Sequence, residues 1–227
     1  MAGTDHYRRL TDLPARLPLF PLRGAILLPR AVLPLSVFEP RYLELLDDVM
    51  SGGRIIGIIQ PERSETAEES PAGSDVALKP VGCAGRVTTY QELDDGRLMI
   101  ALTGIARFAI EREQPTGKPY RQFAVDFRRF VGDLEQGAGE AELDRPALLA
   151  ALKSYLEHRR LRADWNAIAQ APGEHLVNML SIVSPFGPEE KQALLEAPDL
   201  KRRAEVLVAL AEMDMASGQS GSGSRLQ

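Results

Sequence analysis

Short apolar stretches broken by proline fill the first part of the chain. The segment LPLFPLRGAILLPRAVLPLSVFEPRY, residues 17–42, carries five prolines among Leu, Ile, Val and Phe. Proline has no backbone N–H, so within sheets it is confined to edges, strand ends and bulges. The pattern therefore predicts short strands at Leu17–Leu22, Ala25–Leu28 and Val32–Phe38. They would bend and change partners at the prolines, as in a curled sheet or partial barrel.

Further strands and one helix follow up to about Val131. The segment EPRYLELLDDVM, residues 39–50, has apolar residues at helical spacing, with Pro40 in the first turn. The segment RIIGIIQ, residues 54–60, is apolar on both faces, which is typical of a buried strand. Asp95-Gly96 predicts a hairpin turn between Val87–Glu92 and Arg97–Thr103. The acidic segment Pro61–Asp75 has few large apolar residues, which predicts a mobile surface loop.

The last third of the chain has a helical pattern. Asp144, Asp164 and Asp199 each precede a stretch with apolar residues at helical spacing, where they would cap helices. We predict an α+β fold in which a β-rich lobe is followed by an all-helical bundle. The predicted boundaries are a flexible arm at 1–14, the β-rich lobe at 15–131, an acidic, Gly-rich linker at 132–142, the helical lobe at 143–216 and a disordered tail at 217–227.

The composition is that of an ordinary globular protein. Of the 227 residues, 44% are hydrophobic and 26% charged, which is enough for a core without metals or disulfides. The net charge of -5 argues against a nucleic-acid binder. Cys83 is the one cysteine, so neither an internal disulfide nor a cysteine-based zinc cluster forms. The N-terminus does not resemble a signal peptide, and no apolar run is long enough for a membrane span. We therefore expect a cytoplasmic protein.

Familiar catalytic motifs are missing from the sequence. The string most similar to a P-loop, REQPTGKPY, has Arg112 in place of the first glycine and Pro119 in place of the magnesium-binding Ser or Thr. The three histidines are far apart, and Cys83 lies in the small, apolar string VGCAG, which favours a buried, inert thiol. We predict no enzymatic activity, no cofactor and no metal. A hydrolase with an unrecognised site is an alternative.

Two basic clusters have two interpretations. Arg159, Arg160 and Arg162 follow a predicted helix, whereas Lys201, Arg202 and Arg203 open one. They are either solvated helix ends or a surface for RNA or an acidic partner.

The proline-rich opening, with LPLFPLRGAILLP followed by LPLSVFEPRY, closely resembles the Lon protease N-terminal (substrate-binding) domain family. LTGIARFAI resembles the family's Gly-x-x-Arg strand pair, here Gly104 and Arg107, and the last helices also match. The resemblance spans about residues 15–213. It implies a PUA-like β-lobe with a helical lobe. Eleven residues follow Ala216, so we expect a stand-alone domain without the ATPase and Ser–Lys peptidase modules of Lon.

The resemblance also suggests candidate binding residues. Phe38, Arg41 and Tyr42 would border a groove for an unfolded polypeptide, because Tyr and Arg are frequent anchors of interfaces. Alternatively, Arg41 ties the helix start to strand carbonyls and Tyr42 packs under the sheet. Phe186, in the string PFGP, is either exposed for binding or packed between the lobes.

The hypothesis for function is a non-catalytic module that binds unfolded or apolar polypeptide segments. It would act as a holdase, or as an adaptor beside a separate Lon-type ATPase in proteolysis, with weak homo-oligomerisation as a further expectation. The alternative is an RNA-binding protein that uses the PUA-like lobe, against which the acidic balance counts.

Overall fold

The structure is a computed structural model that describes residues 4, 6–62, 76–159 and 162–220. The chain forms two compact units, Met1–Gln136 and Gly137–Gln227. The first is rich in strands and the second is helical, so the predicted α+β fold, with its β-rich part first, is confirmed. The division falls inside the segment 132–142, which the sequence marks as a linker.

Six strands and one α-helix are the regular elements described in the β-rich unit, besides short 3₁₀ turns at Leu10–Asp12 and Arg128–Leu134. The helix, α1, spans Pro40–Met50. The strands are β1 (Arg16–Pro21), β2 (Val32–Val37), β3 (Ile55–Pro61), β4 (Leu78–Glu92), β5 (Leu98–Gln114) and β6 (Gln122–Asp126).

The sheet curls into a closed ring. Its strand order is β2-β5-β4-β3-β1-β6, and β6 pairs again with β5, so five strands form a ring and β2 lies outside it along β5. β5 reaches both partners because it has 17 residues: its first part pairs with β2 and its last part with β6. Register shifts interrupt the β3–β4, β4–β5 and β5–β6 ladders, and such bulges bend strands.

The prolines lie where the ladder allows them. β1 pairs with β6 up to Pro18 and with β3 from Leu19 onward, so Pro18 marks the change of partner. Pro34 lies in β2, whose described backbone pairs with β5. The predicted strand at Ala25–Leu28 is wrong, because that segment is an irregular, buried loop. Backbone groups beside this loop form hydrogen bonds outside the strand ladder; Gly24, for example, donates its N–H to the side chain of Gln60.

The core of the ring is packed without room for extra atoms. A Cβ on Gly57 would lie 2.9 Å from the tip of the Phe108 ring, and a Cβ on Gly82 would lie 2.6 Å from it. Tyr7 and Leu13, in the segment that the sequence assigns to a flexible arm, are buried in the same hydrophobic cluster. Both are large apolar side chains, and burying them stabilises that segment against the sheet.

Five α-helices are described in the second unit: α2 (Arg145–His158), α3 (Trp165–Gln170), α4 (Gly173–Val183), α5 (Pro188–Glu196) and α6 (Leu200–Ser220). Asp144, Asp164 and Asp199 accept hydrogen bonds from backbone N–H groups at the starts of α2, α3 and α6, so the predicted caps are confirmed. The helices α2, α4 and α5 all contact α6. The unit is therefore a bundle arranged around α6.

Some expectations fall partly outside the described residues. Residues 63–75, which are most of the predicted acidic loop, are not described, and neither are residues 221–227 of the predicted tail. Residues 217–220 extend α6, and the Ser217 hydroxyl donates to the Asp214 carbonyl within the same helix. Within the described part of the chain, every helix is too short or too polar to cross a membrane.

Candidate functional site

One face of β2 and β5 exposes apolar side chains to solvent. Val32, Pro34 and Ser36 of β2 are exposed, whereas Leu33 and Val37 are buried. Ser36 is opposite Met99, so Met99 lies on the same exposed face. Val32 is 45% exposed and Met99 37% exposed. We call Val32, Pro34, Met99 and the adjacent Phe38 the β2–β5 face.

The outer edge of β2 is interrupted by Pro34. Gly104 donates its N–H to the Ala31 carbonyl, so the backbone groups of Ala31 face β5. In an antiparallel ladder every second residue faces the same neighbour, so the backbone groups of Leu33 and Val37 also face β5. The backbone groups of Val32, Pro34 and Ser36 then face away, and Pro34 has no N–H to offer there. A continuous added strand would lose a hydrogen bond at this position. The face, rather than the edge, is thus the better surface for contact.

Phe38 is more exposed than Val32 or Met99. It follows β2 directly, and 62% of it is open to solvent. Two residues later Pro40 begins α1, where its missing N–H leaves no intrahelical bond unmade, and the Glu39 carbonyl accepts from Tyr42 and Leu43. Phe38 is held between a strand and a helix, which fixes its backbone while its ring stays in water.

Arg41 and Tyr42 make contacts within the β-rich unit. Arg41 Nε lies 2.9 Å from Glu39 Oε2, and its guanidinium stacks over the Tyr42 ring at 4.6 Å. Tyr42 is buried against Phe20, with ring centroids 3.9 Å apart, and this burial raises the pKa of its phenol. Arg41 therefore orders the start of α1 through Glu39, and the Tyr42 ring belongs to the core.

Gly104 lies against neighbouring backbone, and Arg107 is held in a buried ion pair. A Cβ on Gly104 would lie 2.0 Å from the Leu28 carbonyl oxygen. Arg107 is 3% exposed, and its Nε and Nη2 each lie 2.8 Å from Asp133, which also accepts the Arg107 backbone N–H at 2.9 Å. This two-pronged ion pair fastens the 3₁₀ turn Arg128–Leu134 to β5.

Asp133 is the residue that sequence reasoning missed. It lies in the segment assigned to the linker, where an acidic residue suggests solvent exposure, yet it is 8% exposed. A buried arginine needs a carboxylate partner. The sequence offers several acidic residues within reach of Arg107, and their spacing does not distinguish among them.

Phe186 lies in the helical unit, where it is half-buried. Its ring centroid is 6.3 Å from that of Tyr155. Both rings line a cavity of about 20 Å³. We call it the α2–α6 cavity; its apolar wall includes Leu148, Leu152, Leu180, Phe186, Leu207 and Ala211.

The arginines of the basic clusters are largely paired. Arg159 holds Asp214 through three hydrogen bonds of 2.7 to 3.0 Å, and Arg202 contacts Glu205 at 2.7 Å. Arg203 is buried and bonds the Leu194 carbonyl and Asn178. Arg160 lies outside the described residues. Paired or buried cations contribute little to the positive surface that RNA binding requires.

Comparisons with known proteins agree with this geometry. A model of the family described as "ATP-dependent protease La (LON) substrate-binding domain" matches residues 16–212. The chain belongs to this family. The match is to the substrate-binding domain, whose fold holds Phe38, Gly104 and Arg107 at the positions described above.

Related Lon proteases are much longer than this chain. A Lon protease of Anaeromyxobacter dehalogenans is 30% identical over 211 residues, which cover 88% of this chain and 23% of that protein. Lon protease 2 of Myxococcus xanthus is 29% identical over 88% of this chain and 24% of its own length. This Lon substrate-binding domain thus spans about a quarter of the curated relatives that it matches.

Solved structures share the fold. The Lon N-terminal domain protein from Xanthomonas campestris has a TM-score of 0.59 and 25% identity, covering 86% of this chain and 97% of that one. The N-terminal domain of Mycobacterium avium complex Lon protease has the same TM-score at 16% identity, which shows the fold alone.

Proposed function

We propose that this Lon substrate-binding domain binds unfolded or apolar polypeptide segments and carries out no bond chemistry of its own. The observation that carries the proposal is the β2–β5 face, where Phe38 is 62% exposed on a rigid frame. Exposed apolar side chains gathered on one face are typical of protein-binding surfaces. Among the four predicted site residues, Phe38 is the principal contact and Arg41 a secondary one.

The proposal extends to a role in proteolysis. The relatives are Lon proteases, and the matched region is their substrate-binding part. As an adaptor, the chain would pass bound segments to a separate ATP-dependent protease in the cytoplasm. As a holdase, it would keep them from aggregating. Weak self-association would raise the avidity of either activity for a client with several apolar segments.

The test measures the affinity of the full chain for fluorescently labelled β-casein, an unfolded protein, by anisotropy. Phe38→Asp should weaken binding about tenfold or more, because it places a charge in the middle of an apolar contact. Val183→Asp is the matched control, because Val183 is 63% exposed and lies in the helical unit. It should bind within about twofold of the parent chain. Equal losses in both variants, or none in either, would contradict the assignment to the β2–β5 face.

Two further measurements separate the alternatives. Binding through apolar contact persists when salt is raised, whereas RNA binding falls steeply with salt. A single-stranded RNA that binds with such salt dependence, while casein does not bind, would favour the RNA hypothesis. Casein incubated with the chain and ATP should remain intact, and its cleavage would contradict the non-catalytic assignment. In an assay with a Lon protease, addition of the chain should change the rate of casein degradation if it is an adaptor.

A further inference from the structure

Two arginines lie in one row on the outer face of the ring. Arg16 of β1 and Arg112 of β5 are both directly opposite Ala124 of β6. Residues that are opposite in an antiparallel ladder point to the same side of the sheet. Leu17 and Phe123, the next pair along, are buried in the core, so the row with the arginines points outward. Both arginines are accordingly exposed to solvent.

The next outward row adds amide groups and an uncharged floor. Two residues away along β6, Gln122 is opposite both Pro18 of β1 and Gln114 of β5. Pro18 is buried and the two glutamines are half-buried. Two guanidinium groups and two carboxamides therefore surround small, uncharged side chains. We call the residues of these two rows the Arg16–Arg112 patch: Arg16, Pro18, Arg112, Gln114, Gln122 and Ala124.

The arginines of the patch have no counter-charge within the part of the chain that the structure describes. Carboxylates at neighbouring positions have basic partners of their own, Asp126 with Arg128 at 2.9 Å and Glu113 with Arg121 at 2.7 Å. Glu111 is the extra residue of the β5 bulge and, among the described residues, forms no ion pair either. A guanidinium group carries only donors. The patch therefore keeps unused donors and its positive charge for an anion from outside.

The groups of the patch fit an acidic polypeptide. Neighbouring strands are about 4.8 Å apart, which places the Cα atoms of Arg16 and Arg112 about 10 Å apart. Carboxylates two to four residues apart in an extended segment are separated by about 7 to 14 Å. Arginine forks bind carboxylates through two parallel hydrogen bonds. A glutamine carboxamide both donates and accepts, as a peptide group does, whereas a phosphate diester of RNA only accepts.

We propose that the Arg16–Arg112 patch binds acidic segments of polypeptides: the two arginines hold Asp or Glu side chains, and the two glutamines bond to the peptide groups between them. This goes beyond the proposed function, because it adds a second surface whose ligand is charged rather than apolar. It does not depend on the β2–β5 face, since the ligand needs no apolar side chain.

The test measures the affinity of the full chain for a fluorescently labelled peptide of Ser-Gly-Glu repeats by anisotropy. Its glutamates recur about every 10 Å when the peptide is extended. The matched peptide has Gln in place of each Glu. The Glu peptide should bind at least about tenfold tighter than the Gln peptide, because the ion pairs are lost with the charge. Its affinity should fall as salt is raised. Equal binding of the two peptides, or binding of neither, would overturn the inference.

A pair of double variants separates the patch from the net charge of the chain. Arg16→Gln with Arg112→Gln should weaken binding of the Glu peptide about tenfold or more. Arg23→Gln with Lys153→Gln removes the same charge from two exposed positions outside the patch and should bind within about twofold of the parent chain. Equal losses in the two double variants would mean that only net charge matters, and the patch would not be a site.

A substitution at Ala124 tests the patch with both arginines in place. Ala124→Glu puts a carboxylate between them, where it should occupy their donors and weaken the Glu peptide about tenfold. Ala124→Gln has a similar size without the charge and should bind within about threefold of the parent chain. Melting temperatures close to that of the parent show that both variants fold. If both variants bind as the parent does, or lose affinity equally, the arginines do not converge on a carboxylate and the inference is wrong.

Failure of this inference is distinguishable from failure of the proposed function. Phe38→Asp should leave binding of the Glu peptide within about twofold, because this peptide has no apolar side chain. If the Glu peptide fails to bind while casein binds in a Phe38-dependent way, the patch is not a site and the proposed function stands. If labelled oligouridine binds tighter than the Glu peptide and depends on Arg16 and Arg112, the ligand is a nucleic acid and the inference is overturned.

Discussion

The two units of the molecule treat buried space and buried polarity in opposite ways. In the β-rich unit, glycines are pressed against neighbouring atoms, and the buried Arg107 meets a carboxylate on two sides. In the helical unit, α2 and α6 leave an apolar cavity of about 20 Å³. The first unit is closed to insertion, whereas the second has room for a small apolar group.

This difference bears on how each unit would bind a polypeptide. A tightly packed ring cannot adjust its interior, so it presents contacts on a fixed outer face, here the β2–β5 face. A bundle with a cavity can accept a side chain into its wall with small adjustments of its own side chains. The β-rich unit therefore offers a fixed outer face, whereas the helical unit retains internal space.

The largest expected effect is on the stability of the β-rich unit, and it appears when a glycine-to-alanine substitution there is compared with one in the helical unit. Gly104→Ala puts a methyl group 2.0 Å from the Leu28 carbonyl oxygen, and backbone must move to admit it. We expect a loss of at least about 3 kcal/mol of unfolding free energy. Gly173→Ala meets the tip of the Leu143 side chain at 2.6 Å, which can rotate away. Its effect should stay within about 1 kcal/mol, because Ala favours the helix.

Urea unfolding followed by circular dichroism measures both free energies. Gly53→Ala is a control within the β-rich unit, because its Cβ would meet its closest neighbour at 3.9 Å. If Gly104→Ala is tolerated as well as Gly53→Ala, the β-rich unit is less tightly packed than described here, and the contrast between the units disappears.

The next effect concerns the buried ion pair. Asp133→Asn leaves the Arg107 guanidinium without its counter-charge in a buried site, and Arg107→Met leaves the Asp133 carboxylate alone. Each should cost about 3 kcal/mol or more. The double variant retains an amide oxygen for the Arg107 backbone N–H and removes both charges, so it should recover most of the loss.

A double-mutant cycle measured by urea unfolding checks this expectation. Two small and additive single losses would mean that the pair is solvated and does not fasten the 3₁₀ turn to β5. A double variant less stable than either single variant would mean that the Arg107 side chain stabilises the unit by packing as well as by its charge.

Much of the fold follows from local sequence signals. The helix caps at Asp144, Asp164 and Asp199 are local, since a carboxylate next to the first turn meets free N–H groups whatever the tertiary structure. The prolines likewise mark real ends and partner changes of strands. The segment Ala25–Leu28 could not be assigned correctly, because an apolar run in a buried loop has the same pattern as a short buried strand.

The candidate site is harder to predict than the fold. Phe38 and Tyr42 both look like anchors in the sequence, and only packing distinguishes an exposed ring from one buried against Phe20. Asp133 is acidic and lies among glycines, so its burial depends on where β5 places Arg107.

The smallest expected effect distinguishes how helices are attached in the two units. Polar bonds occur in both units: Arg159 at the end of α2 binds Asp214 of α6, whereas Asp48 of α1 has a titratable donor. Tyr120 donates to Asp48 Oδ2 at 2.7 Å, and Lys118 contacts the same carboxylate. Burial, followed by this bond, raises the pKa of Tyr120 to about 12. The attachment of α1 should therefore weaken in the alkaline range in which Tyr120 loses its proton.

The sign follows from comparing the folded and unfolded chains. In the unfolded chain the phenol ionises near pH 10, while in the folded chain Tyr120 keeps its proton to about 12. Its contribution is fully present below about pH 10 and is lost as the pH rises toward 12. Tyr120→Phe should cost about 1 kcal/mol or less at neutral pH. It should also flatten the alkaline fall in urea midpoint, leaving the part due to Tyr42, Tyr90 and Tyr155, whose pKa values are also raised. Parallel midpoint curves for parent and variant above about pH 10 would show that Tyr120 is not coupled to folding and that its bond to Asp48 does not hold α1.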